Sequence, residues 1–299
     1  MSKAVCWLDG TVQPLQEARI PVVDHGLLYG DGVFEGIRFF HGTPFLFEAH
    51  AHRLQDSARA IALSFPWNVE QLKEIIKETI AASGFRDGYL RVIITRGDGL
   101  LGIDPCTCRQ PRLIVIADQL RIMEPGLLEN GASLIIASTR RLSSDGLDPR
   151  IKSLNYLNHI LARIEANASG VDEAILLNNQ GRVSEGTADN LFIVKNRVLL
   201  TPPVIDGALA GITRQLVLSL AENNEVTARE QSLAPYDLYT ADECFLTGTG
   251  AEMIPVSSID GRSVTACPGP VFSRLRKAYR AYIEDTCMLD KEETGPKFR

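Results

Sequence analysis

The chain is expected to fold as α+β in two domains, and three observations lead to that class. Its 299 residues are enough for two bodies of ordinary size, each able to bury a core. Short β-rich runs alternate with segments of helical period along the whole length. A polar stretch ending in Pro125-Gly126 reads as a linker, which places the domains at 1–117 and 127–299 with 118–126 between them.

The elements follow in order. Residues 4–15 read as a β-hairpin, 33–40 as a strand paired with 43–47 across His41-Gly42, and 48–63 as a helix. The next helix has both ends marked. Asn68 stands as N-cap, Gln71 three residues on completes a capping box, and Gly84 stops it. Val69, Leu72, Ile75, Ile76 and Ile80 share its apolar face. Residues 89–95 and 112–117 are rich in β-branched side chains and read as strands.

In the second domain 132–139 reads as a strand. Leu157, Ile160, Leu161 and Ile164 then fall at i, i+3, i+4 and i+7 of a helix that stops near Gly170. Antiparallel strands are expected over 173–177, at Val183 and over 190–194, with turns at 178–181 and 195–197, and a further strand over 243–246. Helices over 212–222 and 270–285 complete the chain, the last with Val271, Phe272, Leu275, Tyr279 and Tyr282 inward.

Composition excludes several classes of function. A hydrophobic content of 45% and a charged content of 23% describe a soluble globular chain. The net charge of -6 provides no basic stripe for nucleic acid, and no run of apolar residues is long enough to cross a membrane. The first ten residues lack the pattern of an export signal, so a cytoplasmic location is expected. Six scattered cysteines in a chain of this size read as free thiols, and Cys106-x-Cys108 without a second pair is not a metal motif.

Two further patterns mislead. Residues 97–102 match G-x-G-x-x-G after a strand, but Asp104-Pro105 and Pro111 leave no room for the helix whose N-terminus would receive a pyrophosphate. His50 and His52 are two apart and face different sides of a helix, so they cannot share a metal.

Lys152 stands out by elimination. Lys3, Lys291 and Lys297 lie near the termini, Lys73 and Lys77 on a polar helix face, Lys195 in a turn and Lys277 in the last helix. Lys152 sits between Ile151 and Leu154 at what reads as a strand-to-helix junction. Such a lysine is paired, snorkelled to solvent, or functional. A functional lysine needs a carbonyl partner, commonly pyridoxal phosphate, which requires an anion seat and a carboxylate for its ring nitrogen. Gly211-Ile212-Thr213 opens a helix after a glycine and can hold a dianion; Gly248-Thr249-Gly250-Ala251 follows a strand; Glu185 ends another. Singly these are a helix cap, a turn and a surface acid.

At these residues the chain resembles the fold type IV pyridoxal-phosphate enzymes, closest to branched-chain amino acid aminotransferases. The blocks are DHGLLYGDGVFEGIRFF (24–40), HRLQDSAR (52–59), YLRVIITRG (89–97), KSLNYLN (152–158), SEGTADNLF (184–192), GITR (211–214) and DECFLTGTGAEMIPV (242–256). The resemblance implies a small N-terminal domain, a larger C-terminal pseudo-barrel domain with the cofactor between them, and a homodimer or an assembly of dimers. It implies pyridoxal 5'-phosphate on Lys152 as the Schiff-base lysine, and Glu185 as partner of the ring nitrogen. Arg53, Ile212, Thr213 and Thr249 match the phosphate seat, and Tyr156 the residue at the phenolic oxygen.

For substrate, the resemblance implies apolar walls from Phe34 and Tyr89. Tyr29 and Arg91 would meet the distal carboxylate of glutamate, the α-carboxylate would lie on Thr249-Gly250, and Arg38 stands close in the same block. The implied reaction is ping-pong transfer of the amino group of leucine, isoleucine or valine to 2-oxoglutarate. Ala188-Asp189 and Gly250 depart from the common branched-chain pattern. Relatives with the same cofactor apparatus transaminate D-amino acids or (R)-amines, or are aminodeoxychorismate lyases, and a non-catalytic relative is a further alternative.

Overall fold

In a computed structural model of the protein, residues 4–119 and 126–289 are described. The chain divides into two compact units. One comprises Met1–Leu120, Ile151–Asn155 and Ala281–Arg299, the other Arg121–Arg150 and Tyr156–Arg280. Residues 120–125 of the expected linker lie outside the described residues. The chain-linear division at 1–117 and 127–299 stays a proposal; the segment carrying Lys152 groups with the first unit.

The first unit is built on a six-stranded sheet in the order β2-β1-β6-β5-β3-β4. Its strands are β1 (Val5–Leu8), β2 (Thr11–Pro14), β3 (Gly32–Phe40), β4 (Thr43–Pro44), β5 (Gly88–Thr95) and β6 (Arg112–Asp118). The hairpin expected over 4–15 forms, with Val5 opposite Pro14 and Leu8 opposite Thr11. Helices α1 (His25–Tyr29), α2 (Phe47–Ala60) and α3 (Val69–Ser83) complete it. In α3 the Asn68 carboxamide accepts from Gln71 N–H while the Gln71 side chain accepts from Asn68 N–H, and Gly84 closes the helix in the left-handed region at φ 66°. Leu54 and Ala58 of α2 and Leu72, Ile76 and Ile80 of α3 pack on Val33, Ile37, Leu90, Val92 and Val115.

β4 is shorter than expected, because Phe47 already opens α2; the main partner of β3 is β5, paired from Gly32–Thr95 to Phe39–Gly88. The segment 151–155 adds to the other side of β3. Phe34 N–H donates to Lys152 O at 2.9 Å, and Leu154 N–H donates to Gly32 O at 2.9 Å. Lys152 therefore lies on an extended edge segment and not at a strand-to-helix junction.

The second unit holds a nine-stranded sheet that curls into a half-barrel. Its elements are α4 (Leu127–Asn130), β7 (Ala132–Arg140), α5 (Leu157–Ala168), β8 (Glu173–Leu177), β9 (Val183–Gly186), β10 (Asn190–Lys195), β11 (Val198–Thr201), α6 (Ile212–Asn223), β12 (Ala228–Glu230), α7 (Pro235–Tyr239), β13 (Glu243–Gly248), β14 (Glu252–Ile259), β15 (Arg262–Ser263) and the first part of α8 (Pro270–Leu289), whose residues from Ala281 on belong to the first unit with Phe45. The order is β12-β11-β10-β13-β14-β7-β8-β9, with β15 on β14.

β14 is not among the expected strands; it carries Pro255 in its interior, opposite Phe245, and an interior proline is a weak strand signal. In α5 the helix is where its period puts it, but the bulky stripe faces outward. Leu157, Ile160, Leu161 and Ile164 are exposed, while His159, Ala162 and Ala166 are buried. The sheet side is made of small residues, Ala162 and Ala166 against Ala137, Ala174 and Leu176, which lets the backbone approach closely. In α8 Phe272, Leu275 and Tyr279 are buried as expected; Tyr282 is half-exposed and packs edge-on to Phe45 at 6.1 Å. All six cysteines are free thiols.

Candidate active site

The expected site residues fall into two sets, one in each unit. In the first unit Phe34, Arg38, Tyr89, Arg91 and Lys152 share one face of the sheet. Strand alternation turns Phe34, Gly36 and Arg38 of β3 to the same side, and the register sets Gly36 opposite Arg91 and Arg38 opposite Tyr89 on β5. Gly36 is required there, since a Cβ would stand 1.9 Å from Tyr89 Oη. The Phe34 ring carries two cations, Lys152 Nζ at 4.6 Å from its centroid and Arg91 Cζ at 4.4 Å. The Tyr29 hydroxyl accepts from Gly102 N–H at 2.8 Å, fastening the glycine-rich loop whose Leu100 and Leu101 are exposed.

On the opposite face of β3, Glu35 points at α2. It is fully buried and accepts from Arg53 twice, Nε to Oε1 at 2.6 Å and Nη2 to Oε2 at 2.8 Å, and from His50 Nδ1 at 2.7 Å. Burial alone would raise the Glu35 pKa; the Arg53 guanidinium and His50 outweigh it and hold the carboxyl well below the usual range. One turn beyond Arg53, Ser57 Oγ accepts from Lys152 N–H at 3.2 Å. His50, Arg53 and Ser57 thus form one stripe of α2.

In the second unit Glu185, on β9, is also buried. Its Oε2 accepts from Leu209 N–H at 2.8 Å, and its Oε1 lies 3.1 Å from Arg141 Nε and 3.5 Å from His159 Nε2. Burial pushes its pKa up, but His159, the Arg141 charge and Leu209 N–H prevail and keep it below the ordinary value. The His159 ring stacks on Tyr156 at 4.5 Å, and among the described residues its buried Nδ1 has no hydrogen-bond partner.

The loop leading into α6 is clamped by this group. Ser184 Oγ donates to Asp206 O at 2.5 Å, Arg141 Nε to Gly207 O at 3.0 Å, and Asn190 Nδ2 to Leu209 O at 3.1 Å. Gly211 is the N-cap of α6 and provides no side-chain cap, so Ile212 and Thr213 present first-turn N–H groups that have no acceptor within the helix. A Cβ at Gly211 would stand 1.8 Å from Asn190 Oδ1, so only glycine allows this approach. Thr249 and Gly250 lie in the turn between β13 and β14, where Gly248 packs on Asp189: a Cβ there would meet Asp189 Oδ1 at 2.2 Å. The departure at Ala188-Asp189 and that at Gly250 therefore belong to adjoining loops.

A buried carboxylate clamped to the loop that opens a glycine-capped helix accompanies, in this chain, a match to the family model for amino-transferase class IV over residues 32–259. The chain belongs to the class IV aminotransferases. Among relatives of this class IV aminotransferase is a putative branched-chain-amino-acid aminotransferase of Methanocaldococcus jannaschii, 46% identical over 92% of this chain and 94% of the relative. Two solved structures are similar. The branched-chain aminotransferase of the thermophilic archaeon Thermoproteus uzoniensis with norvaline superposes with a TM-score of 0.87 at 36% identity, covering 97% of this chain and 96% of the other. The branched-chain amino acid aminotransferase of Thermobaculum terrenum in its PLP form gives 0.84 at 30% identity, covering 95% of this chain and 94% of the other. The fold is accordingly type IV, as expected.

Glu35, His50, Arg141, His159 and Asn190 are not among the expected site residues. Glu35 had a signal, a carboxylate set in the apolar run VFEGIR, and the spacing of His50 and Arg53 gives another. Arg141, His159 and Asn190 have none, since Arg141 and Asn190 act on a loop more than fifteen residues away and His159 on Glu185, also distant in sequence.

Proposed function

We propose that this class IV aminotransferase moves the amino group of branched-chain L-amino acids to 2-oxoglutarate, using pyridoxal 5'-phosphate in a ping-pong cycle. The observation that carries the reading is the face around Phe34, where an aromatic wall lies beside both Lys152 Nζ and the Arg91 guanidinium. An apolar substrate side chain suits Phe34 and Tyr89. Arg91 suits the distal carboxylate of glutamate in the other half-reaction, and Arg38 completes the charged rim. Tyr29, whose hydroxyl is also an acceptor for Gly102 N–H, suits the same distal carboxylate.

The residues fit the cofactor. An N-terminus of α6 without a side-chain cap, opened by a glycine held close to Asn190, suits a phosphate through Ile212 and Thr213 N–H, with Arg53 and Thr249 as further donors. Glu185, ionised by its neighbours, suits a protonated ring nitrogen, and Tyr156 the phenolic oxygen. When bound, the cofactor supplies an electron sink for the negative charge left on the substrate α-carbon. Lys152 would hold it through Nζ, and its free amine would take the proton from the substrate α-carbon and give it back to the cofactor. Thr249 N–H and Gly250 N–H orient the α-carboxylate.

Exposed Leu157, Ile160, Leu161 and Ile164 on one face of α5 support self-association as a homodimer. Among the described residues no helix is long and apolar enough to cross a membrane, and we place the enzyme in the cytoplasm. The function is tested with L-leucine, L-isoleucine and L-valine plus 2-oxoglutarate, set against D-alanine and (R)-1-phenylethylamine. Turnover of the L-donors is expected. Turnover confined to the D- or R-donors, or pyruvate release from aminodeoxychorismate, overturns the reading.

A further inference from the structure

We propose that Glu35 and His50 are positioning residues for Arg53, and that through Arg53 they determine how strongly the protein prefers a phosphorylated pyridoxal to an unphosphorylated one. The inference rests on the reading of Arg53 as a phosphate ligand.

A guanidinium is planar, and two parallel bonds to one carboxylate fix both its plane and its rotation about the long side chain. Glu35 makes that pair of bonds at 2.6 and 2.8 Å. The carboxylate could itself rotate about its last side-chain torsion, which is broad. His50 prevents this by donating Nδ1–H to Oε2 at 2.7 Å. The imidazole is held neutral chiefly by burial, with Arg53 and Lys152 adding to that effect against the pull of Glu35. The trio therefore comprises one cation, one anion and one neutral donor. A phosphate reaching Arg53 meets an oriented N–H array whose charge is largely balanced, so direction counts for more than net charge.

The cost of this arrangement argues that it serves more than stability. A carboxylate inside β3, flanked by Val33, Phe34 and Ile37, gives up its hydration, and well-packed apolar residues in place of all three of Glu35, Arg53 and His50 would be no worse for folding. The same stripe of α2 also fixes the main chain of Lys152, through Ser57 Oγ. The phosphate-binding cation and the residue that carries the cofactor's aldehyde carbon are thus both held to one rigid helix. Their spacing is set before the cofactor arrives, which lowers the ordering cost of binding.

Equilibrium binding of pyridoxal phosphate and of pyridoxal to the full-length apo-protein, followed by absorbance, tests this. Glu35→Gln puts an N–H where Arg53 and His50 both donate, so it should weaken pyridoxal phosphate by about tenfold or more and leave pyridoxal binding unchanged. If Glu35→Gln does not fold, His50 supplies the test: His50→Phe should lose the preference for phosphate, whereas His50→Asn, which keeps a donor near Nδ1, should retain it. Equal weakening of both ligands by Glu35→Gln, or no difference between His50→Phe and His50→Asn, overturns the positioning role. Arg53→Ala separates the two levels. If Arg53→Ala loses the preference and the Glu35 and His50 variants do not, Arg53 is a phosphate ligand and the inference fails; if Arg53→Ala keeps the preference, the reading of Arg53 fails and the inference with it.

Discussion

Glu35 and Glu185 are both buried carboxylates, and both are held ionised by an arginine and a histidine, yet they are engaged to different degrees. Glu35 accepts three hydrogen bonds of 2.6 to 2.8 Å from side chains of its own unit. Glu185 accepts one bond of that quality, from Leu209 N–H, and its other oxygen meets Arg141 and His159 at 3.1 and 3.5 Å. A carboxylate has about four lone-pair positions. Glu35 is nearly saturated by the protein, so its role is to hold other groups; Glu185 keeps capacity for a donor from outside, as a ring N–H would be. Ionisation alone does not distinguish a structural acid from a cofactor-binding one. The completeness of its bonding does.

The contrast can be broken most forcefully at Glu185. Glu185→Gln removes the charge that keeps a ring nitrogen protonated and should lower kcat by about 10²- to 10³-fold, as loss of an electrostatic partner does elsewhere. It should change the urea midpoint little, and steady-state kinetics beside urea unfolding check both halves. A Glu185→Gln variant that unfolds readily and keeps its kcat would make Glu185 the structural acid of the two.

Glu35→Gln should show the opposite balance in stability. Leaving Arg53 and His50 facing an amide N–H should cost about 3 kcal/mol, the scale for breaking a buried ion pair. Urea unfolding measures it, and a loss below about 0.5 kcal/mol, the range of ordinary surface substitutions, would contradict the saturated network.

The smallest effect is a pH dependence. The folded pKa of His50 is depressed below its ordinary 6.5. Between the two values the unfolded chain binds more protons, so this histidine's contribution is present above about pH 6.5 and is lost as pH falls toward the folded value. The carboxyl of Glu35 is also depressed, from 4.5, so its contribution persists until lower pH. The urea midpoint of the wild type should therefore fall between pH 7 and pH 5.5 by more than that of His50→Asn, which cannot titrate. Equal slopes would remove His50 from the network.

Legibility from sequence followed the range of the interactions. The α3 helix could be read to the residue because Asn68, Gln71 and Gly84 are local signals. The α5 period identified a helix but not its buried side, because alanines packed on alanines decide that, and the leucine and isoleucine stripe is left outside. β14, with Pro255 inside it, carries no clear local strand signal. In the candidate site, Lys152 is proposed by elimination and Glu185 from its motif, whereas Glu35 was read only as part of a strand. Its partners come from α2, and nothing local in VFEGIR shows that a helix will bring an arginine and a histidine to the carboxylate. Arg141 became visible only when the loop at 206–209 was seen clamped between it, Glu185 and Asn190, and His159 only through its approach to Glu185.

The central claim is that Lys152 carries the cofactor. Reduction of the full-length protein with sodium borohydride in the presence of pyridoxal phosphate, followed by digestion and mass spectrometry, measures it directly. A phosphopyridoxyl group on Lys152 is the expected result; the group on Lys73, Lys77, Lys195 or Lys277, with Lys152 unlabelled, would contradict it.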